Sequence, residues 1–175
     1  MKIVAGILGF TVLLGLAVFT VIDDSASNVQ SLAPMSATFR GLYTTAAATC
    51  PGLPPEILMA IGDVESGHGS NDGPSIAGAV GPMQFEPSTF PEYALPIPVG
   101  GASPPTPWDP TDAVYAAARD LCANGARNGV DLPGAIFAYN HDTTYVANVL
   151  GVAAMYTAQD AVTGTANAPR PNTRK

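Results

Sequence analysis

The sequence has few charges and very few positive ones. Of 175 residues, 12% are Asp, Glu, Lys or Arg, and the formal net charge is -7. The cations are Lys2, Arg40, Arg119, Arg127, Arg170, Arg174 and Lys175, so four of the seven sit at the ends of the chain. Between residues 28 and 160 only Arg40, Arg119 and Arg127 stand against twelve acids. A body this acidic has no means of releasing counterions from a phosphate backbone, which excludes a nucleic-acid partner. It does not exclude a glycan, whose polar groups are mostly neutral hydroxyls and amides. Cysteine and histidine are scarce too. Cys50, Cys122, His68 and His141 are scattered, and none of their spacings is that of a zinc site, so no metal and no cofactor is expected. Sustained period-two alternation is missing, which argues against a sheet. The hydrophobic fraction of 47% is enough for a core and argues against a disordered chain.

One long apolar run is present. Ile3 to Ile22 is twenty residues without a charge, about 30 Å as a helix, one hydrocarbon thickness. Lys2 precedes it and Asp23 and Asp24 follow, an arrangement that places the remainder of the chain outside the cytoplasm. The run reads either as an uncleaved membrane anchor or as a signal peptide over residues 1–24. Ser25-Ala26-Ser27 is a weak cleavage site for the second reading. Both stay open, and both export the domain. In an exported chain an even number of cysteines suggests a Cys50–Cys122 disulfide. It closes a 72-residue loop, worth roughly 4 kcal/mol on the chain-entropy model; two buried thiols are the alternative.

Residues 25–36 read as a polar linker, 37–160 as one domain and 161–175 as a disordered tail. A short helix is expected over Ala37–Thr49. Pro54-Pro55-Glu56 starts a second helix, with Ile57, Leu58, Ile61 and Val64 at helical spacing and Gly67 and Gly69 beyond its end. Asn71 to Pro82 is loop, Glu86 to Tyr93 one or two helical turns, and Leu95 to Pro107 a proline-rich excursion. That excursion has no aspartate run and so no calcium loop. Asp109 caps a helix that Pro110 and Asp112 open and that ends near Asn124-Gly125. A shorter helix follows Asp131 and stops at Tyr139-Asn140. Thr143 or Thr144 caps a last one carrying Val146, Val149, Leu150, Ala153 and Ala154. The fold class is all-α with long loops.

Glu65 carries the most informative chemistry. It lies four residues from Ile61 and seven from Leu58, on the face that should pack inward, and in the last helical turn, where the dipole is negative. Both circumstances disfavour its anion and raise its pKa, and a carboxyl still protonated near neutrality is what protonating a glycosidic oxygen requires. An ordinary helix-terminal glutamate is the bland reading. Asp63, on the opposite side, reads as solvated, as do the loop histidines His68 and His141.

Three segments tip the balance. Ile61-Gly62-Asp63-Val64-Glu65-Ser66-Gly67-His68-Gly69, Gly78-Ala79-Val80-Gly81-Pro82-Met83-Gln84-Phe85 and Ala138-Tyr139-Asn140 occur in order. They resemble the three motifs of the SLT-like lytic transglycosylase domain of the lysozyme-like superfamily. Pro87-Ser88-Thr89-Phe90 and the Trp108–Cys122 stretch resemble an exported actinobacterial-type branch. The resemblance covers about Cys50 to Tyr156. It implies a lysozyme-like helical fold and a monomer acting on peptidoglycan strands outside the cytoplasm. Glu65 is implied as acid/base, with Ser66, Met83, Gln84, Tyr139 and Asn140 at the substrate. Gln84 suits a sugar's N-acetyl and hydroxyl groups, although a loop-capping amide is its other reading. Met83 reads as core as readily as sugar platform, and Ser66 as a cap of the turn. The pattern departs from the family where a glycine two residues after Asn140 is replaced by Asp142.

Ordinary glycosidases use two carboxylates. Asp72, Glu86 and Asp142 lie near motifs, but no spacing places them beside Glu65. One residue doing both proton transfers fits the transglycosylase route the resemblance implies, which ends in a 1,6-anhydro-muramyl product. Goose-type lysozyme hydrolysis and a non-catalytic glycan-binding or envelope-assembly module are the alternatives.

Overall fold

The computed structural model describes residues 31–166, and these form six α-helices without a strand. They are α1 (Ala37–Ala47), α2 (Pro55–Ser66), α3 (Phe90–Tyr93), α4 (Pro110–Leu121), α5 (Leu132–Asn140) and α6 (Thr143–Ala166). A single antiparallel bridge joins Val80 and Phe85. The apolar run of residues 3–22 and the end of the tail lie outside the described residues. None of the described helices is long and apolar enough to cross a membrane.

The helix α2 is the axis of the domain. Ile57 to Gly62 are all buried, and α1, α4 and α6 pack around them. Pro55 occupies the first turn, where its missing N–H leaves nothing unsatisfied, and Glu56 favours the positive end of the dipole. At the other end Gly67 (φ 57°), His68 (φ 57°) and Gly69 (φ 80°) are left-handed in succession. Gly67 and His68 donate their N–H groups to the Asp63 and Gly62 carbonyls, and the chain reverses there. Two glycines make such a run affordable; the third residue, His68, carries the strain.

Asp109 caps α4 as expected, accepting from the N–H groups of Thr111 (2.9 Å) and Asp112 (3.0 Å). Asp112 does more than favour the dipole. It is fully buried, and its Oδ2 accepts from the N–H groups of Ala102 and Thr106, pinning the proline-rich excursion to the start of α4. Beyond Leu121 the helix opens into a π-helical turn, Cys122–Ala126, in which Gly125 takes φ 125°. Cys122 is bonded to Cys50, so the disulfide ties the segment after α1 to the end of α4.

Three boundaries differ from the sequence expectation. The end of the presumed linker is docked: Leu32 and Met35 pack on the core and the Ala33 N–H donates to Asp63 at 3.0 Å. The last helix runs on to Ala166 and does not stop at Asp160. Its cap is Asp142, not a threonine. Asp142 Oδ1 accepts from the Thr144 N–H at 2.7 Å and its carbonyl from the Val146 N–H. The residue standing where the family pattern has glycine is therefore the N-cap of α6. The buried face of α6 is Tyr145, Val149, Val152, Ala153 and Tyr156, whereas Ala154 is exposed.

Candidate active site

A cleft of about 590 Å³ opens beside the C-terminal turn of α2. Glu65 lines one wall, Gln84 and Phe85 another, and Tyr139 and Asn140 come in from the end of α5. Three segments far apart in sequence, all singled out by their motifs, thus meet in one cavity. Glu65 is half-buried, and burial pushes its carboxyl up to about 7, against the opposing effect of a hydrogen bond from Tyr145. The Tyr145 hydroxyl donates to Glu65 Oε1 at 2.6 Å. Tyr145 belongs to α6 and was not a sequence candidate. The signal for it was its place on the buried stripe of α6, one helical repeat from Val149 and three turns from Tyr156.

Gln84 reaches the cleft with a divided role. Its backbone is left-handed (φ 47°), and its Nε2 donates to the carbonyls of Gly81 (3.0 Å) and Gly73 (3.2 Å). The donor end of the amide staples the loop that forms the cleft rim, leaving the carbonyl end for a ligand. Gly81 (φ 78°) has no room for a side chain, because a Cβ would strike the Pro107 carbonyl. The second motif therefore sits directly against the excursion. Tyr139 donates its hydroxyl to the Met83 carbonyl at 2.8 Å and stacks edge-on to Phe85. Burial and the neighbouring Glu65 raise its phenol well above the usual range, so it stays a neutral donor.

Two of the expected substrate contacts are corrected. Met83 is 0% exposed and belongs to the core; its carbonyl, not its thioether, serves the site by holding Tyr139. Ser66 is 4% exposed; its hydroxyl donates to the Pro82 carbonyl at 2.7 Å and accepts from the Gly69 N–H, joining the first motif to the second. Neither lines the cleft. His68 and Asp63 are corrected as well, since neither is solvated. The His68 residue is 5% exposed, lies against the Tyr43 hydroxyl (3.1 Å) and the Tyr156 hydroxyl (2.8 Å), and is stripped of water, which lowers its pKa. Tyr156 in turn donates to Asp63 Oδ2 at 2.7 Å. The hydrogen-bond directions follow from these partners. Tyr156 gives its proton to Asp63 and accepts from His68 Nε2–H, so Nδ1 accepts from Tyr43. His141 is exposed and lies at the cleft edge.

Among the acids considered as a second carboxylate, Asp142 caps α6 and Asp72 holds the rim loop through its carbonyl, which accepts from the Gly81 N–H. Glu86 lines the cleft and is exposed. One further carboxylate, which the sequence did not bring forward, is Asp120 of α4, on the cleft wall with Tyr93 and Asn124.

A helical domain built round a buried axis, with a carboxyl poised near neutrality in an open polar cleft, is of the lysozyme-like kind. The chain belongs to the transglycosylase SLT domain family, which residues 43–159 match. That family comprises glycosidic-bond-cleaving enzymes acting on cell-wall peptidoglycan, a substrate outside the cytoplasm. No curated protein and no solved structure matches the chain.

Proposed function

We propose that this protein is a lytic transglycosylase. It cleaves the β-1,4 bond between N-acetylmuramic acid and N-acetylglucosamine, and Glu65 is its acid/base. The observation that carries the reading is a half-buried carboxyl with its pKa raised to about 7, held in a cleft that also receives Gln84, Tyr139 and Asn140. Glu65 gives its proton to the glycosidic oxygen as the bond to the muramyl C1 breaks. The carboxylate so formed takes the proton of the muramyl 6-hydroxyl, whose oxygen closes on C1. The product is a 1,6-anhydro ring, no water is consumed, and Glu65 ends protonated as it began. Tyr145 holds the carboxyl in place for both transfers. Gln84 and Asn140 offer amide groups for the sugar's own amides and hydroxyls, and Tyr139 fixes the floor between them. The enzyme works outside the cytoplasm as a monomer, tethered by residues 3–22 where these are retained.

A second reading is hydrolysis of the same bond. The presence of Glu86 and Asp120 on the cleft wall favours it, since either could serve an attacking water. Mass spectrometry of digested peptidoglycan separates the two. Anhydro-muramyl ends support the proposal, and reducing ends in their place overturn it. Glu65→Gln should retain the fold and strand binding and lose cleavage; full lytic activity in that variant removes Glu65 from the mechanism.

A further inference from the structure

The cleft has a second polar group that the proposed chemistry does not use. Asp120 sits in the last turn of α4 and is 6% exposed, yet it lines the cavity. Its Oδ1 accepts from Asn124 Nδ2 at 2.6 Å. The same amide approaches the Tyr93 hydroxyl at 3.4 Å, and all three side chains share the cleft wall. Among the described residues no arginine pairs with the carboxylate, and His141, in the same cavity lining, is the group whose charge favours it. Of the described arginines, Arg40 pairs with Asp160, Arg119 donates to the Tyr93 and Pro96 carbonyls, and Arg127 lies by the disulfide. A carboxylate this buried is costly without donors to satisfy it, and the Asn124 amide with the Tyr93 hydroxyl leaves part of its accepting capacity unused. Asn124 is held over it by the π-helical turn Cys122–Ala126, an irregularity that an uninterrupted helix would lack.

The position of the group also sets it apart from the chemistry. Glu65 lies in the last turn of α2, whereas Asp120 lies in the last turn of α4, so the two carboxyls enter the cleft from different helices. We infer that Tyr93, Asp120 and Asn124 form a separate sugar-binding subsite of the cleft. Its carboxylate accepts from the hydroxyl or amide N–H groups of an N-acetylated pyranose next to the ring at Glu65. The inference rests on the glycan-cleaving reading of the cleft.

Titration calorimetry with N-acetylchitopentaose, a soluble β-1,4-linked N-acetylated strand, tests it in the uncleaving Glu65→Gln background. Adding Asp120→Asn keeps the side-chain volume and removes the anionic acceptor. It should weaken pentaose binding about tenfold or more, the size of a charged hydrogen bond. Binding of N-acetylglucosamine, a single ring that cannot fill both positions, should fall by a smaller factor. Equal pentaose affinity in the two proteins, with unchanged circular dichroism, overturns the subsite and leaves the proposed function standing. If Glu65→Gln binds neither sugar, the glycan reading itself fails, and the subsite with it. In the enzyme with Glu65 intact, Asp120→Asn should raise KM on peptidoglycan strands and leave the alkaline limb of kcat where it was. A moved limb would mean that Asp120 acts on Glu65, contrary to the inference.

Discussion

The Tyr145 hydroxyl donates to Glu65 Oε1 at 2.6 Å, and eleven residues along the same helix Tyr156 donates to Asp63 at 2.7 Å. Asp63 and Glu65 are two residues apart on α2 and so project to opposite sides of it. Eleven residues bring the two tyrosines back to one face of α6. The long helix therefore clasps the final turn of α2 from both sides, and the direction of the Glu65 carboxyl is set by a helix that lies outside its motif.

Replacing Tyr145 with Phe removes a bond that lowers the Glu65 pKa. The carboxyl should then lose its proton only at a pH above about 7. The alkaline limb of kcat should move upward by roughly one unit, the order expected of a hydrogen bond to a charged group. A pH–rate profile on purified peptidoglycan strands measures this; a limb that stays in place or moves down contradicts the role given to Tyr145.

Glu65 also makes the fold pH-dependent. Its folded pKa is about 7 against an ordinary 4.5, so the native state binds the extra proton and the group stabilises below 4.5. That stability is lost as pH rises towards 7, on the order of 3 kcal/mol at most. Glu65→Gln should accordingly melt higher than the parent at pH 8, and the two should converge near pH 4.5. Parallel melting curves across that range would show that burial of the carboxyl has no energetic cost.

The sign is reversed at His68. Burial lowers its pKa from 6.5, so the unfolded chain takes up the proton first. The stability this group contributes is present above pH 6.5 and declines as pH falls below it. Asn at position 68 tolerates the left-handed backbone and carries no titrating proton. His68→Asn should be less stable than the parent at pH 8, with a shallower loss of melting temperature on acidification. Tyr156→Phe, which strips a donor from Asp63 and an acceptor from His68, should cost about 2 kcal/mol in chemical denaturation at pH 8.

Removing the disulfide by Cys50→Ser with Cys122→Ser should cost roughly 4 kcal/mol and lower the melting temperature by roughly 10–15 °C. Both cysteines lie away from the lining of the cleft, so kcat/KM at a temperature where the variant is folded should change less than twofold.

Local rules read the helices well. Pro54-Pro55-Glu56 signals a start through its prolines and first-turn acid and Asp109-Pro110 through a side-chain cap, and those starts are where the structure has them. The inward face of Glu65 followed from its spacing to Leu58 and Ile61. What local rules missed comes from packing between elements. Tyr145 and Asp120 reach the cleft only because α6 and α4 lie against it, and no spacing in one sequence expresses that. His68 looked like a loop histidine because its neighbours are glycines. Those glycines are what turn its ring inward, through three left-handed residues. Ser66 and Met83 lie within the motifs, yet they tie the motifs to each other and to the core, and a motif pattern does not tell the two duties apart.

The Cys50–Cys122 bond makes a covalent ring of everything between those residues, including Glu65, Gln84 and Asp120, while Tyr139 and Tyr145 stay outside it. The exposed stretches at 70–79 and 95–101 are both inside the ring. A single protease cut in either would leave two fragments linked, running as one band without reductant and as two with it. Such a nicked form keeps both halves of the cleft joined.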